Sequence, residues 1–282
     1  MNTLFFTKIV GASNDFILVD NRTKVKNKWM TKRVLGGLAK RLTNRQNGIG
    51  GDGLLLIENA DDSKKADFKM RTFNPDGSEA QMCGNGIRCA ALYAYQHKIA
   101  SANMSIETLA GILKAQIKAR DRVCVELSQP SQWRDHLVFE REGRSQTGFF
   151  VNTGVPHVVL FIQDHRELEN ADVAGLGKFI RHHSLFAPQG TNVNFVHCVS
   201  HHQIQIRTYE RGVEGETLAC GTGATAAVLV AARQKKVLPP VQVKTRGGEV
   251  LTVDFMIQRN QIQKAWLEGP VKIVFTGEIP NV

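Results

Sequence analysis

The chain has 282 residues, of which 42% are hydrophobic and 22% charged, the composition of a globular protein with room for two domains. Its formal net charge is +10, but the basic residues are densest from Lys24 to Arg45, around a predicted helix, without alternating aromatic side chains to stack on bases. We interpret this stretch as a solvated helix face and expect no nucleic-acid partner.

The first half of the chain alternates short strand patterns with two helices. Strands are predicted at LFFTKIV, FILVD, GLLLIE, FKMRTFN, MSIETLAGILKAQIKA and RVCVELS, and helices at TKRVLGGLAKRL and GNGIRCAALYAYQHK. The first apolar stretch, TLFFTKIVGASNDFILVD, is too short and too polar for a membrane span or a signal peptide. We therefore expect a cytoplasmic protein with no membrane partner.

The second half has a similar pattern. Strands are predicted at GFFVNTGVPHVVLFI, TNVNFVHCVS, HQIQIRTYE, VQVKTRGGEVLTVDF and KAWLEGPVKIVFTG, and helices at VAGLGKFIRHH and GTGATAAVLVAARQKK. The polar segment Ser128 to Thr147 is interpreted as turn-rich, and it divides the chain into halves of similar make-up.

One pattern occurs twice. Glu79 to Tyr95 and Glu216 to Ala232 each have a Glu, three residues, Cys-Gly-x-Gly and a run of small and apolar residues. A strand pattern ending in Phe73 precedes the first copy, and one ending in Tyr209 precedes the second. The repeat predicts a duplicated fold in which each half presents one cysteine.

The repeated motif favours a reactive thiol beside an anion. Gly-x-Gly allows a ligand to approach the N–H groups that open a helix, and a helix N-terminus favours both thiolates and carboxylates. Neither copy matches a P-loop or a dinucleotide fingerprint. A thiolate and a thiol on opposite faces of an α-carbon would remove and return its proton with inversion.

No Schiff-base lysine site is evident, so the pattern predicts racemisation without a cofactor. No CxxC or HxxxH spacing occurs, so we expect no metal site. The chain has five cysteines, an odd count that favours reduced thiols. Cys89, Cys124 and Cys198 lie among apolar residues and are expected to fill the core.

The sequence resembles diaminopimelate epimerases over its entire length. The resemblance is carried by GASNDFILVD, NGIGGDGLLLIE, FNPDGSEAQMCGNGIRC, TGVPHVV, GTNVNFV and YERGVEGETLACGTGA. It implies an α/β fold of two pseudo-symmetric domains, each a β-barrel-like sheet around a central helix, with the active site in the cleft between them. The implied domains are residues 1–127, to which residues 271–282 return, and residues 128–270.

The resemblance also implies the reaction, which is epimerisation of LL-2,6-diaminopimelate to the meso form without pyridoxal phosphate, for lysine and peptidoglycan precursor synthesis. It implies that Cys83 and Cys220 are the acid/base pair, assisted by His157 and Glu210. The implied substrate-binding residues are Asn14, Asn74, Gly84, Asn85, Asn192, Glu210, Arg211, Gly221 and Thr222, with Arg211 on the distal carboxylate. The small-molecule substrate is the expected partner, and a homodimer is implied.

Two positions depart from the family pattern. Val155 stands in GVPH where family members often have Asn, and Gly53 stands where many have Gln. Both bear on recognition of the distal group and leave room for another amino-acid substrate. The alternatives are therefore a two-thiol racemase of different substrate range and, from another class, a non-catalytic ligand-binding protein.

Overall fold

The computed structural model describes residues 3–22, 32–259 and 261–280. Contacts divide the chain into two compact units, Met1–Val125 with Gly269–Val282, and Glu126–Glu268. These units are defined only by the density of contacts within each, so the domain boundaries implied by the resemblance stay a prediction. Residues 23–31 of the basic stretch lie outside the described residues, while Lys40 and Arg41 of the same stretch are exposed on a helix.

The described part of the first unit consists of strands and two helices. The strands are β1 (Leu4–Gly11), β2 (Asn14–Asp20), β3 (Gly53–Glu58), β4 (Phe68–Phe73), β5 (Glu79–Ala80), β6 (Asn103–Thr108), β7 (Gly111–Ala119) and β8 (Arg122–Leu127). The helices are α1 (Lys32–Thr43) and α2 (Gly84–Gln96). The last strand of the chain, β17 (Gln261–Ile279), begins in the second unit and ends in the first.

These strands form a closed barrel. β1 pairs antiparallel with β2, β2 parallel with β3, β3 antiparallel with β4, and β4 parallel with β6. β6, β7 and β8 continue as an antiparallel meander, and β17 pairs with both β8 and β1, which closes the ring of eight described strands. A closed ring leaves no unpaired sheet edge among these strands.

The second unit repeats this order. Its strands are β9 (Ser131–Arg141), β10 (Arg144–Asn152), β11 (Pro156–Phe161), β12 (Asn192–Ser200), β13 (Gln203–Glu210), β14 (Gly215–Thr217), β15 (Val241–Lys244), β16 (Val250–Gln258) and the first part of β17. Its helices are α3 (His165–Glu169), α4 (Val173–Arg181), α5 (Gly221–Arg233) and a 3₁₀ turn, Ser184–Phe186. The parallel pairs β11–β12 and β13–β15 correspond to β2–β3 and β4–β6.

Each unit is built around one buried helix. All residues from Gly84 to Ala94 are buried in α2, and α2 contacts β1, β2, β3, β4 and β7. Helix α5 is buried over nearly the same length and contacts β10, β11, β12, β13, β15 and β16. A helix enclosed on all sides is largely apolar and favours small side chains, which explains the Ala-rich sequence of both helices.

The two buried helices also end alike. Lys98 after α2 and Lys235 after α5 have positive φ angles of 56° and 58°. In both cases the next residue donates its backbone N–H to an alanine carbonyl at 2.8 Å, as in a Schellman motif. The duplicated sequence therefore yields two copies of one buried helix with the same two ends.

Several expectations differ from the structure, and the largest difference concerns one segment. The segment Ser128 to Thr147 forms β9 and the start of β10 instead of a turn-rich divider, and Phe139 is the buried side chain of β9. A strand that is solvated on both faces lacks the alternation by which strands are recognised. Helix α3 was not expected from the sequence. Of the three cysteines assigned to the core, Cys89 is buried, whereas Cys124 and Cys198 are half-buried.

Candidate active site

Cys83 is the N-cap of α2. Its backbone is extended, with φ −136° and ψ 115°, and its Sγ accepts the N–H of Gly86 at 3.4 Å. A Cβ on Gly86 would lie 3.0 Å from a Leu55 methyl and 3.3 Å from the Cys83 Cβ, so the second glycine of the motif is required for packing. The sulfur therefore lies at the positive end of a buried helix, which favours a negative charge there.

A chain of polar side chains fixes the first turn of α2. Arg88 is fully buried and donates to the Gly84 carbonyl at 3.1 Å and to the Asn85 side-chain oxygen at 2.6 Å. The Asn85 amide donates to the side-chain oxygen of Asn14, whose own amide donates to Asp52 at 2.9 Å. The structure thus brings Asn14 and Asn85 together, with their amides bonded to protein groups.

Asn74 lies elsewhere, in the turn between β4 and β5. It is exposed, and its side-chain amide donates to the Ser78 hydroxyl at 3.0 Å. Its backbone N–H donates to the Ser78 carbonyl at 2.8 Å, and its carbonyl accepts from Gly77 at 2.9 Å. Every one of these bonds is local, as expected for an asparagine that shapes a turn.

The glutamate of each repeated motif forms an ion pair. Arg71 on β4 donates to Glu79 at 2.6 Å, and Arg207 on β13 donates to Glu216 with two nitrogens at 2.6 and 2.7 Å. In each case the hydrogen bond to the glutamate raises the pKa of the arginine. The pair ties the turn before each cysteine to the preceding strand, which positions the cysteine at the helix entry.

Cys220 is the N-cap of α5, with the same extended backbone, φ −128° and ψ 108°. Its sulfur lies 3.6 Å from the Thr222 hydroxyl, and the Thr222 carbonyl accepts from Thr153 at 3.2 Å. A Cβ on Gly223 would lie 2.5 Å from the Asn194 side-chain oxygen and 3.2 Å from the Cys220 sulfur. The second glycine is again needed, and it brings Asn194 next to the thiol.

His157 is fully buried on β11. Its Nδ1 lies 3.2 Å from the Asn194 side-chain nitrogen, and its Nε2 has no hydrogen-bond partner among the described residues. Burial, together with the charge of Arg211, lowers the pKa of His157 to about 3. The imidazole is therefore neutral near pH 7 and is a weak base in the ligand-free protein.

Asn192, Glu210 and Arg211 lie together at the ends of β12 and β13. The Asn192 side chain donates to the Pro156 carbonyl at 2.9 Å and accepts the backbone N–H of Arg211 at 2.8 Å. Asn192 therefore joins β11 to the end of β13, and Glu210, half-buried, is the last residue of that strand.

Arg211 is a cation in an unfavourable environment. Burial and the nearby Arg181 lower the pKa of Arg211. Its guanidinium donates to the Gln189 carbonyl at 3.4 Å, and the neighbouring carboxylate of Glu214 is bound to Arg181 at 2.9 Å. A partly desolvated guanidinium is stabilised by an anionic ligand, and a carboxylate has the matching geometry.

Sequence reasoning missed several residues that shape these sites. They are Asp52, Arg71, Arg88, Asn194, Arg207 and Thr208. The repeated Arg-Thr-aromatic ends of β4 and β13 could have indicated Arg71 and Arg207, because each lies at the same place before its motif. The sequence carries no comparable signal for Arg88, whose partners come from the helix turn it supports.

The described residues contain no group of three or more histidine, cysteine or acidic side chains placed to hold a metal ion. Among the described helices, none combines the length and apolarity needed to cross a membrane.

The sequence matches the family model described as diaminopimelate epimerase at residues 6–133 and 149–274. The chain belongs to the diaminopimelate epimerase family. A diaminopimelate epimerase of Aquifex aeolicus (strain VF5) is 43% identical over 278 residues, covering 97% of both chains. Another of Hydrogenobaculum sp. (strain Y04AAS1) is 42% identical over 280 residues, covering 97% of this chain and 98% of the relative. The relatives are isomerases, and this chain is an enzyme of the same family.

Solved structures support the fold. A phenazine biosynthesis protein of the PhzF family from Bacillus anthracis has a TM-score of 0.76 at 16% identity, covering 99% of both chains. A hydroxyproline epimerase from Agrobacterium vitis has a TM-score of 0.70 at 14% identity, covering 98% of this chain and 92% of that one. The predicted two-domain α/β class is confirmed, and the resemblance noted from the sequence is confirmed as family membership.

Proposed function

We propose that the protein epimerises LL-2,6-diaminopimelate to meso-diaminopimelate with Cys83 and Cys220 as the acid/base pair, in the supply of lysine and peptidoglycan precursors. The observation that carries the proposal is the duplicated N-cap. In each unit one of the cysteines lies at the entry of the buried helix, and the two have the same extended backbone conformation. Duplication of a thiol site, and not only of a fold, is what a two-base inversion requires.

In the proposed mechanism one cysteine acts as thiolate and removes the α-proton, and the other, as thiol, delivers a proton to the opposite face. The negative charge that develops on the α-carboxylate is stabilised by N–H groups of Gly84, Asn85, Gly221 and Thr222, since these residues open the two helices. Positioned acid/base groups of this kind contribute about 10² to 10⁴ in rate. The same chemistry runs in both directions with the two roles exchanged.

The distal end of the substrate is assigned to Arg211, Asn192, Asn14 and Asn74. The argument is strongest for Arg211, because burial and Arg181 lower its pKa and an incoming carboxylate would reverse that effect. Asn14 and Asn192 have protein partners for their amides, so they would contact substrate through remaining lone pairs or by exchanging partners. A Cβ at Gly53 would lie 3.0 Å from the Phe73 carbonyl oxygen, so a side chain there would require a small shift of the neighbouring strand.

The proposed partners and location follow from the family. We propose a homodimer working in the cytoplasm, where its thiols remain reduced. Analytical ultracentrifugation at micromolar concentration tests the oligomer, and a single species of monomer mass would contradict it.

The rival function is a two-thiol racemase of another amino acid, such as proline. Arg211 argues against it, because a monocarboxylate has no second carboxyl group for that guanidinium. The other rival, a non-catalytic binding protein, gives no reason for two cysteine N-caps.

Exchange of the α-proton with solvent distinguishes the three hypotheses. The enzyme is incubated in D₂O with LL-diaminopimelate, with meso-diaminopimelate and with L-proline, and α-deuterium is followed by mass spectrometry. We expect deuterium in diaminopimelate alone. Exchange in proline alone would favour the first rival, and exchange in none of the three would refute the proposed epimerase.

A further inference from the structure

Asn194 occupies the middle of a buried polar row across three strands. Thr208 lies directly opposite Asn194 in the antiparallel register of β12 and β13, and His157 lies on the parallel neighbour β11. Asn194 and His157 are fully buried and Thr208 is 3% exposed. Polar groups this deep must satisfy one another, so their hydrogen bonds define how each is oriented.

The orientation of the Asn194 amide follows from one contact. One of its terminal atoms lies 2.9 Å from the Val158 carbonyl oxygen. A carbonyl oxygen only accepts hydrogen bonds, so this terminal atom is the NH₂ group. The other terminal atom is therefore the oxygen, and it accepts the Thr208 hydroxyl at 3.1 Å.

The tautomer of His157 follows from the amide. The same NH₂ group lies 3.2 Å from His157 Nδ1, where its second hydrogen is available to donate. A neutral imidazole has one donor and one acceptor nitrogen, so an Nδ1 that accepts leaves the proton on Nε2. Burial and the charge of Arg211 lower the pKa of His157 to about 3, which keeps the ring neutral near pH 7.

The Nε2 nitrogen has no hydrogen-bond partner among the described residues, although it is buried. A buried N–H without an acceptor is costly, and a group of this kind that is retained commonly has a catalytic role or meets a water or a ligand. The row borders the proposed reaction site, because the Asn194 oxygen and the Cys220 sulfur both lie against Gly223.

We propose that Asn194, held by Thr208, is a positioning residue that fixes His157 as the Nε2–H tautomer. His157 then donates a hydrogen bond from Nε2 to a negatively charged group at the reaction site and does not remove a proton. The catalytic role of this hydrogen bond rests on the proposed function. The tautomer is a property of the ligand-free protein and can be tested independently of that function.

The tautomer is measured first, in ligand-free enzyme at pH 7, by long-range ¹H–¹⁵N correlation of the imidazoles, with His157→Gln identifying the signals that disappear. We expect Nδ1 to be unprotonated and Nε2 to be protonated. In Asn194→Asp a carboxylate faces Nδ1 and can only accept, so the proton should move to Nδ1. A proton on Nδ1 in the unaltered enzyme, or an unchanged tautomer in Asn194→Asp, would overturn the proposal.

Kinetics then test the positioning role with a matched pair. Thr208→Val removes the hydroxyl that holds the Asn194 oxygen, and Thr208→Ser keeps it. We expect kcat to fall about tenfold in the valine variant, the effect of one hydrogen bond, with KM nearly unchanged, and the serine variant to retain most activity. Thr245→Val removes another buried hydroxyl of the same unit, bonded to the Glu249 carbonyl at 3.2 Å, and should leave kcat unchanged.

Equal losses of kcat in Thr208→Val and Thr245→Val would mean that the row is merely structural and would overturn the proposal. The proposed function fails separately: an enzyme with the expected tautomer but no α-proton exchange in diaminopimelate would refute the epimerase and leave the assigned tautomer standing.

Discussion

Replacing His157 with glutamine should change how the stability of the protein depends on pH. Burial and the charge of Arg211 lower the pKa of His157 from 6.5 to about 3 in the folded protein. In the unfolded chain the ring titrates near its ordinary value, so the unfolded state binds more protons between these two values. Stability from the neutral ring is therefore complete above the unfolded pKa and is lost as the pH falls from about 6.5 toward 3.

The magnitude follows from the same two values. Between pH 7 and pH 5 the unfolded histidine becomes almost fully protonated while the folded one stays neutral, which removes about 2 kcal/mol of unfolding free energy. Below pH 5 the loss approaches about 1.4 kcal/mol per pH unit until the folded pKa is reached. Glutamine does not titrate, so the variant lacks this contribution whatever its stability at pH 7.

The assay is urea unfolding, followed by fluorescence and circular dichroism at pH 7, 6 and 5, of the unaltered protein and His157→Gln. Groups other than His157 titrate in both proteins and cancel in the comparison. We expect the advantage of the unaltered protein over the variant to shrink by about 2 kcal/mol from pH 7 to pH 5. Parallel profiles would refute the reasoning, because they would mean that His157 titrates alike in both states.

The remaining predictions concern the thiols, the distal cation and the repeated ion pair. Cys83→Ala and Cys220→Ala should each abolish net epimerisation with little change in the unfolding midpoint, and retention of a tenth of the activity in either would exclude the two-base scheme. Arg211→Ala should raise KM for diaminopimelate by about tenfold or more, because a charged hydrogen bond is worth about 1.5–3 kcal/mol, and an unchanged KM would place the distal site elsewhere. Glu79→Ala should cost about 3 kcal/mol of unfolding free energy, because the Glu79 side chain is 4% exposed and its loss leaves the guanidinium of Arg71 with Glu58 at 3.9 Å in place of a 2.6 Å partner.

Each of these variants has a control in the same chain. Cys198→Ala removes a half-buried thiol away from the two helix entries and should leave kcat unchanged. Arg141→Ala removes a cation bound to two exposed carboxylates, Glu142 and Asp172, and should leave KM unchanged. Glu142→Ala breaks an ion pair whose glutamate is 78% exposed and should cost no more than about 0.5 kcal/mol. A loss for Glu142→Ala equal to that for Glu79→Ala would contradict the role assigned to burial.

The sequence by itself determined the family, the fold class and the placement of the cysteines at helix entries. Glycine and small-residue patterns act locally, so a Cys-Gly-x-Gly before an alanine-rich run indicates a helix that begins at the cysteine without reference to the rest of the chain. Strands with alternating burial were predicted for the same reason. Strand β9 was not, because both of its faces are largely solvated and its sequence lacks that alternation.

Only the tertiary structure decided how the sites are supported. His157 contacts the Asn194 side chain, which in turn accepts a hydrogen bond from Thr208. These residues are far apart in the chain, and strand pairing brings them side by side. The same holds for Arg88, whose burial depends on the barrel around α2, and for Asn14, which meets Asn85 only in the fold. A hydrogen-bond partner depends on pairing register and on which groups lose water together. A residue's identity does not contain that information, so the tautomer of His157 could be assigned only once its neighbours were known.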